Sequence, residues 1–430
     1  MLALREELAR QIPGLREETR QLTTRHADAV ISEVTVAQVV GGMRGIKGLV
    51  CDTSVVDPDK GLYIRGIPIA DLAQCLPEAI FYLLCAGELP NSEALASLQQ
   101  DLRKRAQIPV YVWDVLKTMP VDSHPMTMFS TAILVMERDS VFRRRYAEGM
   151  RKEEFWEAAL EDSLQLLAKL PGIAAGIYRL RTRKGAPLPS DPNLDWGADY
   201  AHMLGLPDPE GNFARLIRLY LTLHCDHEGG NVSAFTCHTV GSALSDPYYA
   251  VSAGLNGLAG PLHGLANQEC LQFVLGVRER FHGVPTDEQL REYAWNTLKA
   301  GHVIPGYGHA VLRITDPRFA AFRIFGEQVC PQDEIFRIVE RIFAIVPGVL
   351  REQGKAKDPW PNVDAISGAL LYHFGLTEFD YYTVLFGVSR ALGMCAQLII
   401  NRALDTPITR PKSVSTDWIK LTVGQTRQAA

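Results

Sequence analysis

The sequence lacks the features that mark nucleic-acid-binding and membrane proteins. Its formal net charge is -5 at pH 7, whereas a nucleic-acid-binding domain normally carries a basic face. No uninterrupted apolar run approaches the roughly 18 residues that a membrane helix needs. We therefore expect neither a nucleic acid nor a membrane as a partner.

The sequence also lacks a disulfide framework and a recognisable targeting segment. Its eight cysteines contain no C-x-x-C pair, which suits reduced thiols better than disulfides. Transit peptides are poor in acidic residues and secretory signals need an apolar core, yet the chain begins with Glu6, Glu7, Glu17 and Glu18. These observations predict a cytoplasmic protein.

Most of the sequence shows the apolar periodicity of helices. The chain has 430 residues, 47% of them hydrophobic and 22% charged, enough for a large core and for more than one domain. Apolar residues recur at helical spacing near the N-terminus and almost without pause from residue 70 to 180, with one expected break at Pro171 and Gly172. Residues 31–69 give the only β signal, with a turn at residues 57–61. The prediction is an all-α fold with a minor β-hairpin near the N-terminus.

A glycine-rich segment at residues 254–269 contains a single histidine, His263. Glycines spaced three, three and four residues apart remove side chains from one helical face, so another backbone or a ligand can approach closely. His263 is therefore a candidate functional residue. The alternative is an ordinary hydrogen-bonded histidine at a helix break.

A second polar cluster lies at residues 224–238, and it allows two interpretations. One is a zinc site, although the spacing matches no common ligand pattern; its candidate ligands are His224, Cys225, His227, Cys237 and His238. The other is a helix that ends at Gly229 and Gly230 and leads into a second helix. That arrangement presents His227, Asn231 and Ser233 to an anion near helix-start amides.

Three further residues are candidate functional residues. His309 lies in a turn rich in glycine and proline, and Asp364 precedes a short helical pattern, where it is either functional or a helix N-cap. Arg390 lies in an apolar helix at residues 383–400, with small neighbours. A buried guanidinium needs an anion, which is either a ligand or a structural carboxylate.

Together these segments resemble the citrate synthase family over nearly the whole chain. The motifs that carry the resemblance lie at residues 226–233, 257–269, 303–313, 361–364, 381–390 and 410–413. The sequence is most similar to the dimeric, eukaryotic-like branch. It lacks the N-terminal extension of the hexameric branch and a mitochondrial leader, which leads us to expect a bacterial cytoplasmic enzyme.

The resemblance implies condensation of acetyl-CoA with oxaloacetate, followed by hydrolysis to citrate and CoA. Asp364 would be the base, neutral His263 would hydrogen-bond the thioester oxygen, and His309 would bind the oxaloacetate carbonyl. One alternative is 2-methylcitrate synthase, which uses propionyl-CoA, since one methylene is worth only about 1–3 kcal/mol in a pocket. Another is a catalytically silent protein that binds CoA or a metabolite.

The resemblance also implies the binding residues. Oxaloacetate or citrate would contact His227, Asn231, Arg318 and Arg390, with Arg410 reaching in from the second subunit of a homodimer. The implied CoA contacts are Arg44, Val303, Ile304, Gly306, Tyr307, Arg313, Lys355, Lys357 and Asn362. Acetyl-CoA is expected as a co-substrate, without a permanent cofactor or a metal.

The implied fold has two helical domains. A large, dimerising domain would comprise residues 1–267 and 379–430. A small, CoA-binding domain would comprise residues 268–378 and would close over the cleft between them.

Overall fold

The predicted all-α class is confirmed. The structure, a computed structural model, describes residues 3–308 and 311–428. Helices account for 64% of the chain and strands for only 3%.

The first half of the described chain contains ten α-helices: α1 (Ala3–His26), α2 (Val36–Val40), α3 (Ile69–Leu72), α4 (Pro77–Ala86), α5 (Ser92–Arg105), α6 (Val110–Thr118), α7 (Pro125–Val135), α8 (Val141–Ala147), α9 (Phe155–Arg181) and α10 (Trp196–Leu204). The second half contains ten more: α11 (Asn212–Leu223), α12 (Val232–Ser242), α13 (Pro247–Leu258), α14 (Ala266–Phe281), α15 (Asp287–Lys299), α16 (Pro317–Val329), α17 (Glu334–Gln353), α18 (Asp364–His373), α19 (Tyr382–Ala403) and α20 (Thr416–Gln428). Short 3-10 helices span Met136–Asp139, Lys152–Glu154 and Phe379–Tyr381.

The predicted β-hairpin forms, and a short third strand extends it. Strands β1 (Ser54–Asp57) and β2 (Gly61–Ile64) pair antiparallel across the expected turn, and β3 (Ile67–Pro68) pairs with β2. Gly61 has a φ of +95°, and a Cβ there would lie 2.5 Å from the Pro317 ring. The hairpin turn is therefore packed directly against the start of α16.

Helix α19 forms the centre of the core. It packs against α9, α4, α12, α13 and α11. The segment Phe379–Ala403 is long and apolar enough to span a membrane, but 83% of its apolar window is buried inside the protein. Such burial is typical of the core helix of a globular protein.

The expected break at Pro171 is wrong, because α9 continues through that residue to Arg181. Proline lacks an amide hydrogen, so the carbonyl four residues earlier loses its helical partner. That carbonyl, of Leu167, instead accepts a hydrogen bond from the Trp196 indole at 2.9 Å. A neighbouring helix thus satisfies the group that the proline leaves unpaired.

Helices α14 to α18 pack chiefly on one another. Contacts join α14 to α18 and α17, α15 to α17, and α16 to α18. The contacts of this group with the rest of the chain include those of α3 and α11 with α16 and of α11 with α18.

The glycine-rich face of α13 lets α12 approach closely, as the spacing predicts. A Cβ at Gly254 would lie 2.8 Å from the Ser233 carbonyl, and a Cβ at Gly257 would lie 3.1 Å from Val232. Gly264 likewise has no room for a side chain, because its Cβ would lie 2.1 Å from the Leu258 carbonyl. The start of α12 is thereby held beside the turn that carries His263.

Gly393 allows α19 to approach the segment that follows α11, and we expect Gly393→Ala to destabilise the protein by roughly 1–3 kcal/mol. A Cβ there would lie 2.5 Å from Asp226 Oδ1 and 2.6 Å from the Cys225 carbonyl. The apparent melting temperature would report the loss. The matched control is Gly348→Ala in α17, where a Cβ would meet nothing within 4 Å and the helix should be as stable or more so. Equal melting temperatures for the two variants would contradict this account of the packing.

Candidate active site

Arg390 is the buried cation at the centre of the candidate site. Its residue is 2% exposed, and its Nε donates to the His224 carbonyl at 3.1 Å. Its Nη1 lies 3.2 Å from Asn231 Oδ1, and the guanidinium lies over the Phe386 ring at 4.7 Å. Among the residues that the structure describes, no carboxylate forms an ion pair with it. Burial lowers its pKa to about 10, and the charge of Arg318 also lowers it.

His263 lies in the turn between α13 and α14 and is held through its Nε2 atom. The Ser233 amide donates to Nε2 at 3.2 Å, and the Ser233 hydroxyl lies 2.9 Å from the same atom. Because an amide can only donate, Nε2 must be the acceptor and Nδ1 must carry the proton of the neutral ring. Burial and, to a smaller extent, the charge of Arg390 lower the pKa of His263 to about 4. The ring is therefore a neutral donor at physiological pH.

Arg318 is held by Asp316, a residue that no sequence motif marked as functional. The Asp316 carboxylate accepts from Arg318 Nε at 3.0 Å and from Nη2 at 2.7 Å. The same carboxylate caps α16 and accepts from the Val363 amide at 3.3 Å. Burial raises the pKa of Asp316, but Arg318 more than offsets it, so the pKa is lowered and the carboxylate stays charged.

His227 lies near this ion pair, in the loop between α11 and α12. Its proximity helps to lower the pKa of Asp316. Asn231, predicted as a substrate contact, is the N-cap of α12, and its side chain is used locally. Its amide nitrogen donates to the carbonyls of His227 at 2.9 Å and Glu228 at 3.0 Å. The contacts of Asn231 thus orient the loop and Arg390.

Asp364 is the first residue of α18 and makes no side-chain cap, since Val363 is the N-cap. The alternative interpretation as a capping residue is therefore not what the structure shows. Burial raises the pKa of Asp364 to about 6; Arg318 opposes this rise and Asp316 adds to it. The carboxylate is consequently a stronger base than an ordinary aspartate while remaining ionised near pH 7.

The charges of the site favour an anionic ligand. The charge of Arg318 lowers the pKa of Arg390, so the two guanidinium groups repel each other. Asp316 neutralises the guanidinium group of Arg318. Burial makes the ionised form of Asp364 less favourable. A small dianion would relieve the repulsion and supply the planar acceptors that guanidinium groups bind best.

Part of the predicted CoA set comes together, namely residues 303–307 and Asn362. The Asn362 amide donates to the Gly306 carbonyl at 2.8 Å, and Tyr307 forms a β-bridge with Pro361. Ile304 is buried, whereas Val303 is exposed, as are the basic residues Arg313, Lys355 and Lys357. Gly306 has a φ of +79°, and a Cβ there would lie 2.8 Å from Ala365, so the position requires glycine.

Two predicted residues lie exposed outside this cluster. Arg44 lies exposed in a turn, where its carbonyl accepts a local bond from Gln38 at 3.4 Å. Arg410 is exposed on the single chain after α19. His309 lies outside the described residues.

The zinc interpretation finds no support in the part of the chain that the structure describes, where no group of three or more His, Cys, Asp or Glu side chains could hold a metal ion. His224 Nδ1 lies 3.0 Å from the Tyr220 carbonyl. His238 contacts Thr409 at 2.7 Å and Asn401 at 2.9 Å. Ordinary hydrogen bonds therefore account for these histidines.

Comparison with known proteins identifies the same family that the motifs resemble. The family model described as "Citrate synthase, C-terminal domain" matches residues 42–412. The chain is 50% identical to "Citrate synthase, mitochondrial" of Xiphias gladius, covering 98% of this chain and 92% of that protein. It is 47% identical to "Citrate synthase 4, mitochondrial" of Arabidopsis thaliana, covering 97% and 90%.

Solved structures agree with the fold. The citrate synthase of Pyrobaculum aerophilum has a TM-score of 0.78 at 28% identity, covering 88% of this chain and 92% of that one. The Thermoplasma acidophilum citrate synthase, solved as a ternary complex with carboxymethyl coenzyme A and oxaloacetate, has a TM-score of 0.75 at 21% identity, covering 89% and 97%.

The prediction of a bacterial cytoplasmic protein is wrong on this comparison, because both relatives are named as mitochondrial. The prediction rested on the expected lack of a mitochondrial leader and on acidic residues near the N-terminus. Those residues belong to α1, a folded helix whose Leu4 and Leu8 are buried in the core. Glu17, for example, pairs with Arg20 at 2.7 Å. Their charge serves the helix and carries no information on targeting.

The hydrogen bond from Ser233 predicts the state of the His263 ring. Because burial holds the pKa of His263 at about 4, the ring should stay neutral as the pH falls from 8 to about 5. It should also keep its proton on Nδ1 throughout. Nitrogen NMR of labelled histidine would test this, with a His263→Gln variant used to assign the signal. Titration near the ordinary histidine pKa, or a proton on Nε2, would contradict the assignment.

Proposed function

The chain belongs to the citrate synthase family, and from that premise we propose the part that each residue of the cleft plays in its reaction. The protein is an acyltransferase. It condenses acetyl-CoA with oxaloacetate and hydrolyses the product thioester to citrate and CoA. The observation that carries the proposal is the convergence of two guanidinium groups, a neutral histidine donor and a carboxylate of raised pKa around one cleft.

In the proposed mechanism, Asp364 takes a proton from the methyl group of acetyl-CoA. This proton is very weakly acidic, and a general base alone contributes only about 10²- to 10⁴-fold. The raised pKa of Asp364, about 6, increases its basicity and still leaves most of the carboxylate ionised near pH 7.

His263 stabilises the enolate that forms. Its Nδ1–H group donates a hydrogen bond to the thioester oxygen as negative charge develops on that oxygen. A neutral donor suits this task because Ser233 fixes its tautomer. The enolate carbon then bonds to the ketone carbon of oxaloacetate, and the ketone oxygen becomes an alkoxide that takes a proton. We assign stabilisation of that oxygen to His309. Water then cleaves the thioester and releases the CoA thiol.

Arg318, Arg390 and His227 bind the two carboxylates of oxaloacetate. The support for this assignment is electrostatic, because the charge of Arg318 lowers the pKa of Arg390, and a bound anion would offset this repulsion. The side chain of Asn231 already makes hydrogen bonds to the loop and to Arg390. We therefore propose that Asn231 positions these groups in addition to any contact with the substrate.

The division into two domains is also part of the proposal. Residues 268–378 form the small domain and bind CoA through the segments around residues 303–313 and 355–362, while Arg44 completes the site from the large domain. Packing of α14 to α18 on one another supports this division. Closure over bound oxaloacetate would exclude water from the acetyl-CoA site.

We further propose a homodimer in which Arg410 enters the partner's site. Arg410 is exposed on the single chain, and apolar side chains around it and in α20 are also exposed, among them Ile408 at 62% and Leu421 at 67%. Exposed apolar patches of this kind are typical of subunit interfaces.

Replacement of the base tests the mechanism. Purified protein should release CoA thiol from acetyl-CoA only when oxaloacetate is present, and Asp364→Asn should lower kcat by at least roughly a hundredfold. Oxaloacetate affinity should change little, because the arginines remain. As the pH falls through about 6, the Asp364 carboxylate becomes protonated, so wild-type kcat should fall there.

The control is Asp333→Asn, the N-cap of α17, which contacts His373 at the far end of α18. It should leave kcat unchanged, since asparagine caps helices as well as aspartate does. Faster release from propionyl-CoA than from acetyl-CoA would argue for 2-methylcitrate synthase. No release from either substrate would refute the proposed reaction.

Mixed dimers test the role of Arg410. Asp364→Asn and Arg410→Ala homodimers should both be nearly inactive. Unfolding, mixing and refolding them together should restore about a quarter of wild-type activity, because half of the dimers are mixed and one site in each is then intact. If Arg410 served its own subunit, every site would carry a lesion and no activity would return.

A further inference from the structure

Glu228 has a backbone conformation that is unfavourable for a residue with a side chain. Its φ is +61°, in the left-handed region that glycine adopts freely. Two glycines follow it directly, yet this position carries glutamate. The side chain must therefore make interactions that offset the strain.

The side chain and the backbone of Glu228 both form hydrogen bonds with strand β1. Its carboxylate accepts from the Val56 amide at 2.7 Å, and its own amide donates to the Ser54 hydroxyl at 2.7 Å. The Ser54 hydroxyl donates in turn to Asp226 Oδ2 at 2.8 Å, and Thr53 donates to the same oxygen at 2.5 Å. We call this set of bonds between β1 and residues 226–228 the strand clamp.

The strand clamp adjoins the residues that face the substrate. His227 immediately precedes Glu228, and the Glu228 carbonyl accepts from Asn231, which in turn contacts Arg390. A change in the backbone at Glu228 would therefore move a histidine and an arginine assigned to oxaloacetate.

The other end of the hairpin contacts the segment that carries Arg318. The Pro58 carbonyl accepts from the Arg313 amide at 2.8 Å. Gly61 packs against Pro317, the residue before Arg318. The hairpin thus connects the His227 loop with the segment that carries Arg318.

We propose that Glu228 is a positioning residue for the oxaloacetate site. Through the strand clamp it holds residues 227–231 in the strained conformation that places His227 and Arg390 on the same ligand as Arg318. It acts through these residues and does not touch the substrate. This inference rests on the proposed function, because it concerns the binding of oxaloacetate.

Three substitutions separate the carboxylate from the backbone strain. Glu228→Ala removes the carboxylate and keeps the strain, Glu228→Gly removes both, and Glu228→Gln keeps an oxygen that can accept from Val56. The measurements are the dissociation constant of oxaloacetate by titration calorimetry without acetyl-CoA, the kinetic constants, and the melting temperature. The control, His282→Gly, replaces another left-handed residue, the C-cap of α14.

The Ala and Gly variants should bind oxaloacetate roughly tenfold or more weakly, the ratio that follows from losing one hydrogen bond of ordinary strength. The Gln variant should bind within about twofold of wild type, and His282→Gly should bind as wild type does. The Gly variant should melt no lower than the Ala variant, because glycine relieves the strain.

The inference fails if Ala and Gly variants bind oxaloacetate as wild type does, even with lowered melting temperatures, since Glu228 would then serve stability alone. It also fails if Gln binds as weakly as Ala, or if Gly alone restores binding. A wild-type protein that neither binds oxaloacetate nor releases CoA would refute the proposed function instead.

Discussion

The rest of the site depends on the burial of one guanidinium group. Arg390 projects from the core helix α19 with no carboxylate paired to it among the described residues, a state that is costly unless polar groups surround the charge. The His224 carbonyl, Asn231 and the Phe386 ring provide those contacts. Each provider is thereby fixed in place. The end of α11, the start of α12 and the turn that carries His263 are arranged around this cation.

Local electrostatics then gives chemically similar groups different pKa values and therefore different roles. Asp316 and Asp364 are both buried beside Arg318, yet the pKa of Asp316 is lowered and that of Asp364 is raised to about 6. The difference follows from hydrogen bonding, because Asp316 accepts directly from the guanidinium and from two amides. Asp316 is therefore a permanent anion that holds an arginine, whereas Asp364 is poised to accept a proton.

Backbone features that look unfavourable in isolation are resolved by neighbours. Pro171 does not break α9, since the Trp196 indole satisfies the carbonyl that it leaves unpaired. Glu228 keeps a left-handed conformation, since β1 binds both its amide and its carboxylate. In both places, a contact distant in sequence decides the local structure.

The sequence by itself determined the helical class, the hairpin at residues 54–64, the close packing of the glycine-rich face of α13, and the family, because these follow from periodicity, turn residues and long motifs. It also identified His263, Asp364 and Arg390 as chemically unusual. Only the tertiary structure decided which partner each of them has. Ser233 fixes the tautomer of His263, and Asp316 forms the ion pair with Arg318. Val56 binds the carboxylate of the strained residue Glu228. Sequence spacing reveals what lies on one helix face, whereas burial and long-range hydrogen bonds arise only when separate elements pack together.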